Sequence, residues 1–154
     1  GTERLQASGY FRAKLVQERL IAESGTPYTI VRATQFFEFA GGIVYDGTVG
    51  DAIHMSPALF QPIAAEDVAD AVADATLKAP RNGMIEIGGP AKIPLDEFVR
   101  QFLAATHDGR EVVTDIHARY FGIDVNDRTL TPDAGAHLGA IHFEDWLSQN
   151  AGKK

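Results

Sequence analysis

The chain has 154 residues, of which 45% are hydrophobic and 23% are charged. These proportions are typical of one globular domain and exclude a disordered chain. The 14 Lys and Arg against 21 Asp and Glu give a net charge of −7. That balance argues against nucleic-acid binding, because phosphate contacts need clustered basic side chains. The absence of cysteine excludes disulfides and cysteine nucleophiles and fits a cytoplasmic protein.

No segment of the sequence is predicted to enter a membrane. The longest uncharged stretch, residues 52–65, contains two prolines and is shorter than the ~20 apolar residues that a transmembrane helix needs. The N-terminal residues show no basic start followed by an apolar run, so we expect no signal peptide.

The first predicted element is a helix over residues 10–24, with Ser8 as its N-cap and Gly25 and Pro27 as its stop. Its apolar residues spread over most of the helix circumference, which predicts burial on more than one side. A strand rich in β-branched residues follows at 28–33 and lacks strict alternation. That pattern is typical of a parallel strand covered on both faces.

The next segment combines aromatic residues with glycines. Phe36, Phe37 and Phe39 follow the strand and fit either a core or a pocket lining. Residues 41–50 are rich in glycine and predict a mobile loop or a short hairpin.

The rest of the chain predicts alternating helices and short strands. Strands are expected at 53–56, 84–87 and 111–114, and helices at 66–78, 94–106 and 143–149. Each helix has an expected apolar side, formed in turn by Val68, Val72 and Leu77; by Phe98, Val99, Phe102 and Leu103; and by Trp146 and Leu147. Residues 116–140 lack periodicity, so no regular structure is predicted there.

This alternation predicts an α/β architecture with at least a partly parallel sheet. A strand that directly follows the first helix implies an earlier strand in the same βαβ unit, and the chain begins close to that helix. We therefore expect the chain to be the later part of a longer α/β protein.

The pattern with the clearest chemistry is Tyr10-x-x-x-Lys14 within the first helix. Positions i and i+4 lie on one helix face, so the phenol and the ammonium can point into one cleft. A free tyrosine has a pKa of ~10, and a nearby ammonium favours the phenolate needed for proton exchange at neutral pH. The spacing alone also fits an exposed aromatic and a solvated lysine.

The context of this pattern resembles a known family. Residues 8–39, with a Tyr-x-x-x-Lys helix, a Ser-Gly turn, an aromatic-Thr-Ile strand, an Arg and a Phe-containing loop, resemble the short-chain dehydrogenase/reductase superfamily. They are most similar to its atypical, NmrA-like branch. Residues 61–69, 83–90 and 143–147 look like later landmarks of the same family, so the resemblance runs from Ser8 to about Leu147.

The resemblance implies a function and its residues. Tyr10 would be the catalytic acid/base and Lys14 its activator and ribose ligand, while Thr34, Gln35 and Phe36 match the loop that passes the nicotinamide in relatives. The implied activity is hydride transfer, with NAD or NADP as cofactor, to a small carbonyl or quinone-like substrate. The alternatives are a non-catalytic NAD(P)-sensing regulator and an inactive C-terminal fragment.

The resemblance also implies the fold. The single, partial domain of residues 1–154 would be the C-terminal portion of a Rossmann-like doubly wound sheet, without its N-terminal dinucleotide-binding half. Residues 1–40 would form the catalytic helix, strand and loop, and residues 41–154 the substrate-side region. The chain contains no Gly-x-Gly turn to cradle a pyrophosphate, so we expect no tight dinucleotide binding by these residues alone. The bare apolar surface predicts a homo-oligomer.

The remaining polar residues favour structural roles. The five histidines are scattered without a His-x-x-x-His pair, so no metal site is predicted. We expect Arg32 to be ion-paired, Glu66 and Asp67 to be first-turn helix acids, and residues 88–90 to form a strand-end turn.

Overall fold

Helices and short strands alternate along most of the chain. The structure, a computed structural model, describes residues 9–150. Its elements in order are α1 (Gly9–Glu23), β1 (Thr29–Ala33), a 3-10 turn (Phe37–Phe39), α2 (Ala40–Asp46), β2 (Thr48–Val49), β3 (Ala52–Met55), β4 (Leu59–Phe60), α3 (Ala65–Thr76), β5 (Gly83–Gly88), β6 (Ile93–Pro94), α4 (Leu95–Thr106), β7 (Glu111–Thr114), β8 (His137–Leu138) and α5 (Phe143–Asn150). The predicted α/β class is confirmed, whereas the predicted N-cap Ser8 lies outside the described residues. Between residues 9 and 150, no helix is both long and apolar enough to cross a membrane.

The strands of the described residues form three small sheets. The first has the order β1-β5-β8 and is parallel throughout, with Val31 opposite Ile85. The second has the order β2-β3-β7, in which β2 is antiparallel and β7 parallel to β3. β4 and β6 form an antiparallel pair. The predicted, partly parallel sheet is therefore present.

An ion pair joins α1 to the first sheet. The Arg32 guanidinium on β1 donates to the Glu18 carboxylate on α1 at 2.6 Å and lies 3.4 Å from Glu86 on β5. All three side chains are less than one-fifth exposed, so this network is screened less than a surface pair. The prediction that Arg32 is ion-paired is confirmed.

One side of α1 is half-buried and the other is open. Phe11, Leu15 and Ile21 are half-buried, whereas Val16 and Leu20 are 57% and 63% exposed. Within the described residues, α1 contributes no fully buried side chain. The wide apolar arc is therefore real, but burial of α1 on more than one side is not found among residues 9–150.

The hydrophobic core is centred on α4. Phe98 and Val99 are fully buried and Leu103 nearly so, which confirms the predicted apolar stripe; Phe102 packs against the core from its edge. The Phe98 ring stacks on Phe143 at 4.2 Å between ring centres.

Two predictions along the chain are wrong. Residues 40–46 form α2 instead of a loop, because Ile43 and Val44 are buried and this burial outweighs the poor helix propensity of the two glycines before them. The hairpin alternative holds for the end of the predicted segment, where Thr48 and Val49 of β2 pair antiparallel with β3. Val72 and Leu77 do not form an apolar side of α3, since they are 46% and 88% exposed and Leu77 lies beyond the helix end.

The C-terminal helix is fixed by aromatic packing and one carboxylate. Trp146 stacks on Phe143 and contacts Phe37, with ring centres 5.9 and 5.7 Å apart. Its indole Nε1 donates to Glu38 at 3.1 Å, and the same carboxylate accepts the Ala65 amide at the start of α3. The predicted anchoring of α5 by Trp146 and by the buried Leu147 is confirmed.

Candidate functional site

Tyr10 and Lys14 lie on one face of α1, as their spacing predicts. The Lys14 Nζ is 5.8 Å from the centre of the Tyr10 ring and donates to Gln17 Oε1 at 3.1 Å. The Tyr10 side chain is 63% exposed and Lys14 is also exposed. The pair is thus accessible to a ligand that approaches from solvent.

A small cavity lies at the carboxyl ends of β1 and β5. This is the edge at which open parallel sheets bind ligands. Its volume is about 50 Å³, which is room for about one or two water molecules at ~30 Å³ each. Its walls come from the ends of the two strands, from α1 and from a later loop: Phe11, Arg32–Gln35, Glu86, Ile87 and Thr129–Pro132.

Two buried oxygen atoms beside this cavity have no hydrogen-bond partner. They are Thr34 Oγ1 and Gln35 Oε1, which come directly after β1. The Thr34 amide donates to the Ile87 carbonyl at 3.0 Å, and the Gln35 carbonyl accepts the Ile63 amide at 2.8 Å, so the backbone at both positions is fixed. Buried polar atoms are normally paired, so these two oxygen atoms are unsatisfied polar groups on residues that line the cavity.

The structure brings only some of the predicted site residues together. Thr34 and Gln35 line the cavity, and Phe11 joins them from α1. Tyr10 is next to Phe11, with the rings edge-to-face at 5.2 Å, but neither Tyr10 nor Lys14 lines the cavity. Phe36 is also outside the cavity and stacks on Phe39 with ring centres 6.0 Å apart.

Of the two roles left open above, core or pocket lining, only the core role is found, and only for Phe37; none of the three phenylalanines after β1 lines the cavity or the groove along α1. Phe37 is 2% exposed and belongs to the core, whereas Phe39 is 60% exposed. Phe36 is half-buried and pairs with Ile63 through an isolated parallel bridge.

The glycine turn after β5 is formed by close packing. A Cβ atom at Gly89 would overlap the Pro62 carbonyl oxygen. The backbones at Pro62 and Gly89 therefore lie closer together than a residue with a Cβ atom at position 89 would allow. Gln61 is 4% exposed and its Nε2 donates to the Gly89 carbonyl at 2.8 Å. The predicted strand-end turn is present, and neither Gly88 nor Gly89 lines the cavity.

The predicted first-turn acids of α3 are also present. The Asp67 carboxylate also accepts hydrogen bonds from the backbone amides of Ala140 and Ile141, both at 3.1 Å. It therefore attaches the segment before α5 to α3.

Sequence reasoning missed the loop that closes the cavity. Thr129, Leu130 and Thr131 are at most 5% exposed, although they lie in the stretch without periodicity. The sequence of this loop, a leucine between two threonines followed by Pro132, is its only local signal. That signal indicates a buried, non-helical segment only when the position of the sheet edge is already known.

A second tyrosine, Tyr120, is buried away from solvent. Burial, together with the negative charge of Asp46, raises the pKa of the Tyr120 phenol well above its usual value. Tyr120 is 7% exposed and packs against Phe60, so its role is structural.

A larger apolar groove runs along the open side of α1. Its volume is about 580 Å³, and it is lined by α1 and the segment that leads into β1: Ala13, Val16, Gln17, Leu20, Ile21, Ser24, Thr26 and Tyr28. Across residues 9–150, no three histidine or carboxylate side chains come together as potential metal ligands.

Comparisons with known proteins identify no family for this chain. No protein-family model matches the chain, and no curated protein matches it.

Proposed function

We propose that the protein is the C-terminal portion of an NAD(P)-dependent oxidoreductase of the atypical short-chain type, which reduces a small carbonyl or quinone-like substrate. One observation supports this proposal above all. Tyr10 and Lys14 project together from α1 next to Phe11, and Phe11 walls the cavity where Thr34 and Gln35 leave oxygen atoms unpartnered.

Each residue has a role in this chemistry. Thr34 Oγ1 and Gln35 Oε1 would hydrogen-bond the nicotinamide carboxamide, and Lys14 would hydrogen-bond ribose hydroxyls. A bound dinucleotide supplies the hydride. Tyr10 donates a proton to the substrate oxygen.

The proposal also specifies the fold as a Rossmann-like doubly wound sheet. Ligand pockets usually have volumes of ~300–1,000 Å³, and the cavity of about 50 Å³ is far smaller. The pyrophosphate-binding turn of a Rossmann-like doubly wound sheet would therefore come from an N-terminal half that precedes this chain.

The 154-residue chain should bind NADPH only weakly. It offers the Thr34 and Gln35 oxygen atoms but no Gly-x-Gly turn, so most of the dinucleotide would have no partner. Titration of the chain into NADPH, followed by nicotinamide fluorescence, measures this affinity. A dissociation constant in the micromolar range would show that the chain binds the dinucleotide without a second half.

In the full-length protein, Tyr10→Phe should lower the turnover number at least about 100-fold, because positioned acid catalysts contribute ~10²–10⁴. The measurement is steady-state NADPH oxidation with a panel of quinones and aldehydes. Tyr45→Phe is the matched control, since Tyr45 is 85% exposed and should keep wild-type turnover. Equal rates for the Tyr10→Phe and wild-type proteins would exclude Tyr10 as the proton donor.

A second candidate is a non-catalytic NAD(P)-sensing regulator. It is favoured by the exposure of Tyr10, which lines neither the cavity nor the groove. The same assay separates the two functions, because a sensor binds NADPH without oxidising it in the presence of any substrate.

A further inference from the structure

Asn82 is the one asparagine of the chain that precedes a glycine. It is exposed and lies in the connection between α3 and β5, with a φ of 49°, in the left-handed region that asparagine adopts more readily than most residues. Among the described residues, its carboxamide has one hydrogen bond, in which the Tyr28 amide donates to Oδ1 at 3.2 Å. That distance is at the upper limit of ordinary N–H···O bonds, so the side chain is weakly held.

The residue that follows presents an unhindered nucleophile. Gly83 has no side chain and is half-buried at the start of β5. When the bond to Tyr28 breaks, the Asn82 carboxamide is free to rotate onto the Gly83 backbone nitrogen. Attack of this nitrogen on Asn82 Cγ closes a five-membered ring, and two groups held in one molecule react as if at very high concentration.

We infer that Asn82 is a site of spontaneous deamidation through a cyclic imide. The Gly83 nitrogen gives its proton to hydroxide and forms a bond to Asn82 Cγ; the Cγ–Nδ2 bond breaks, and the leaving group takes a proton from water and departs as ammonia. Water then opens the ring. Breaking the bond between the nitrogen and Cγ gives aspartate. Breaking the bond between the nitrogen and the Asn82 carbonyl carbon gives isoaspartate, whose main chain passes through Cβ and Cγ.

The modification acts on the start of the β1–β5 pair. The Asn82 amide donates to the Tyr28 carbonyl at 2.7 Å, and Thr29 lies opposite Gly83. Aspartate keeps the length of the main chain and an oxygen acceptor for the Tyr28 amide. Isoaspartate adds one methylene to the main chain before Gly83 and therefore misaligns the first residues of the pair. This inference is independent of the proposed redox function.

The two other asparagines are more hindered. Asn126 is followed by aspartate, and its Oδ1 accepts the Arg128 amide at 2.9 Å. Asn150 is followed by alanine, and its Nδ2 donates to the Trp146 carbonyl at 2.9 Å. A side chain on the following residue obstructs attack by its nitrogen, and both of these hydrogen bonds are shorter than that of the Asn82 side chain. Asn82 should therefore react first.

Incubation of the 154-residue chain at mildly alkaline pH, followed by Lys-C digestion and mass spectrometry, tests the inference. The peptide of residues 79–92 should exchange the mass of NH2 for that of OH and separate into two products. One of them should accept a methyl group from an isoaspartate-specific methyltransferase. Gly83→Ala is the control variant, because a Cβ atom there would lie 3.7 Å from the Arg81 carbonyl oxygen, an ordinary contact. It should lower the rate at least about tenfold, or ~1.4 kcal/mol in activation free energy.

A synthetic peptide of residues 79–92 shows that the conditions permit the reaction. An Asn82 that stays intact in the folded chain after this peptide has converted overturns the inference. So does conversion of Asn126 or Asn150 before Asn82, a comparison within the wild type that does not depend on how Gly83→Ala folds. A folded Gly83→Ala variant that reacts at the wild-type rate overturns it as well, since the Gly83 nitrogen would then not be the nucleophile.

Discussion

Phe98→Ala should destabilise the protein by about 4 kcal/mol, within the ~3–5 kcal/mol typical of fully buried phenylalanines. The ring is 0% exposed and lies between Phe143, at 4.2 Å, and Phe60, at 5.0 Å between ring centres. Its removal leaves a cavity that the rigid neighbouring rings cannot fill. Urea denaturation followed by far-UV circular dichroism gives the difference in unfolding free energy.

Phe39→Ala is the control for this variant. It deletes the same atoms from a side chain that is 60% exposed and contacts Phe36 across a ring distance of 6.0 Å, so its cost should be below about 1 kcal/mol. Similar losses for Phe39→Ala and Phe98→Ala would mean that the core is not organised around α4.

Asp96→Ala should cost about 3 kcal/mol, because it removes a buried carboxylate that accepts several charge-assisted or short hydrogen bonds. Asp96 is 5% exposed at the start of α4. Its Oδ2 accepts the Thr114 hydroxyl at 2.6 Å and the Arg100 guanidinium at 2.9 Å, and its Oδ1 accepts the Glu97 amide at 3.0 Å. The carboxylate thereby joins α4 to β7.

The same group makes stability depend on pH. Burial alone would raise the pKa of Asp96, but hydrogen bonds from Thr114 and Arg100 and the positive charge of Arg100 outweigh it, and the pKa is lower than the usual 3.8. A carboxyl whose pKa is lower in the folded state stabilises the protein above its unfolded pKa. The stabilising contribution of Asp96 should be lost as the pH falls below about 4. Acidification should therefore lower the free energy of unfolding less in Asp96→Ala than in the wild type.

Asp124→Ala is the control for Asp96→Ala. Its carboxylate also pairs with an arginine, Arg119 at 2.9 Å, but its side chain is 85% exposed. Exposed pairs contribute ~0–1 kcal/mol, so urea midpoints at pH 7 should separate the two variants clearly. An Asp96→Ala midpoint equal to that of Asp124→Ala would show that the buried carboxylate contributes no more than a surface one.

Periodicity predicted the elements whose stability comes from one apolar stripe. α4 and β7 lie where their patterns place them, and the Phe98–Leu103 stripe is buried as expected. The pattern failed where long-range packing decides the local structure. α2 contains two glycines and forms because Ile43 and Val44 are buried in the hydrophobic core. The sequence of residues 40–46 alone does not indicate that burial.

The candidate site was predictable to the extent that it depends on neighbours along the chain. The helical spacing placed Tyr10 and Lys14 on one face, and the family resemblance singled out Thr34 and Gln35, which line the cavity. The loop of Thr129–Pro132 was not predictable, because it reaches the sheet edge through contacts with residues distant in the sequence. One example is the Leu130 carbonyl, which accepts the Gln61 amide. The exposure of Tyr10 depends on which surfaces surround α1, and no local pattern encodes that.

The position of Trp146 provides an optical probe within the native protein. It is the one tryptophan of the chain, it packs on Phe37 and Phe143, and its indole is hydrogen-bonded to Glu38. Indole emission therefore reports the detachment of α5 alone, while far-UV ellipticity averages over all helices. A red shift that precedes the loss of ellipticity during denaturation would identify the C-terminal segment as a separate cooperative unit that opens before the remainder unfolds.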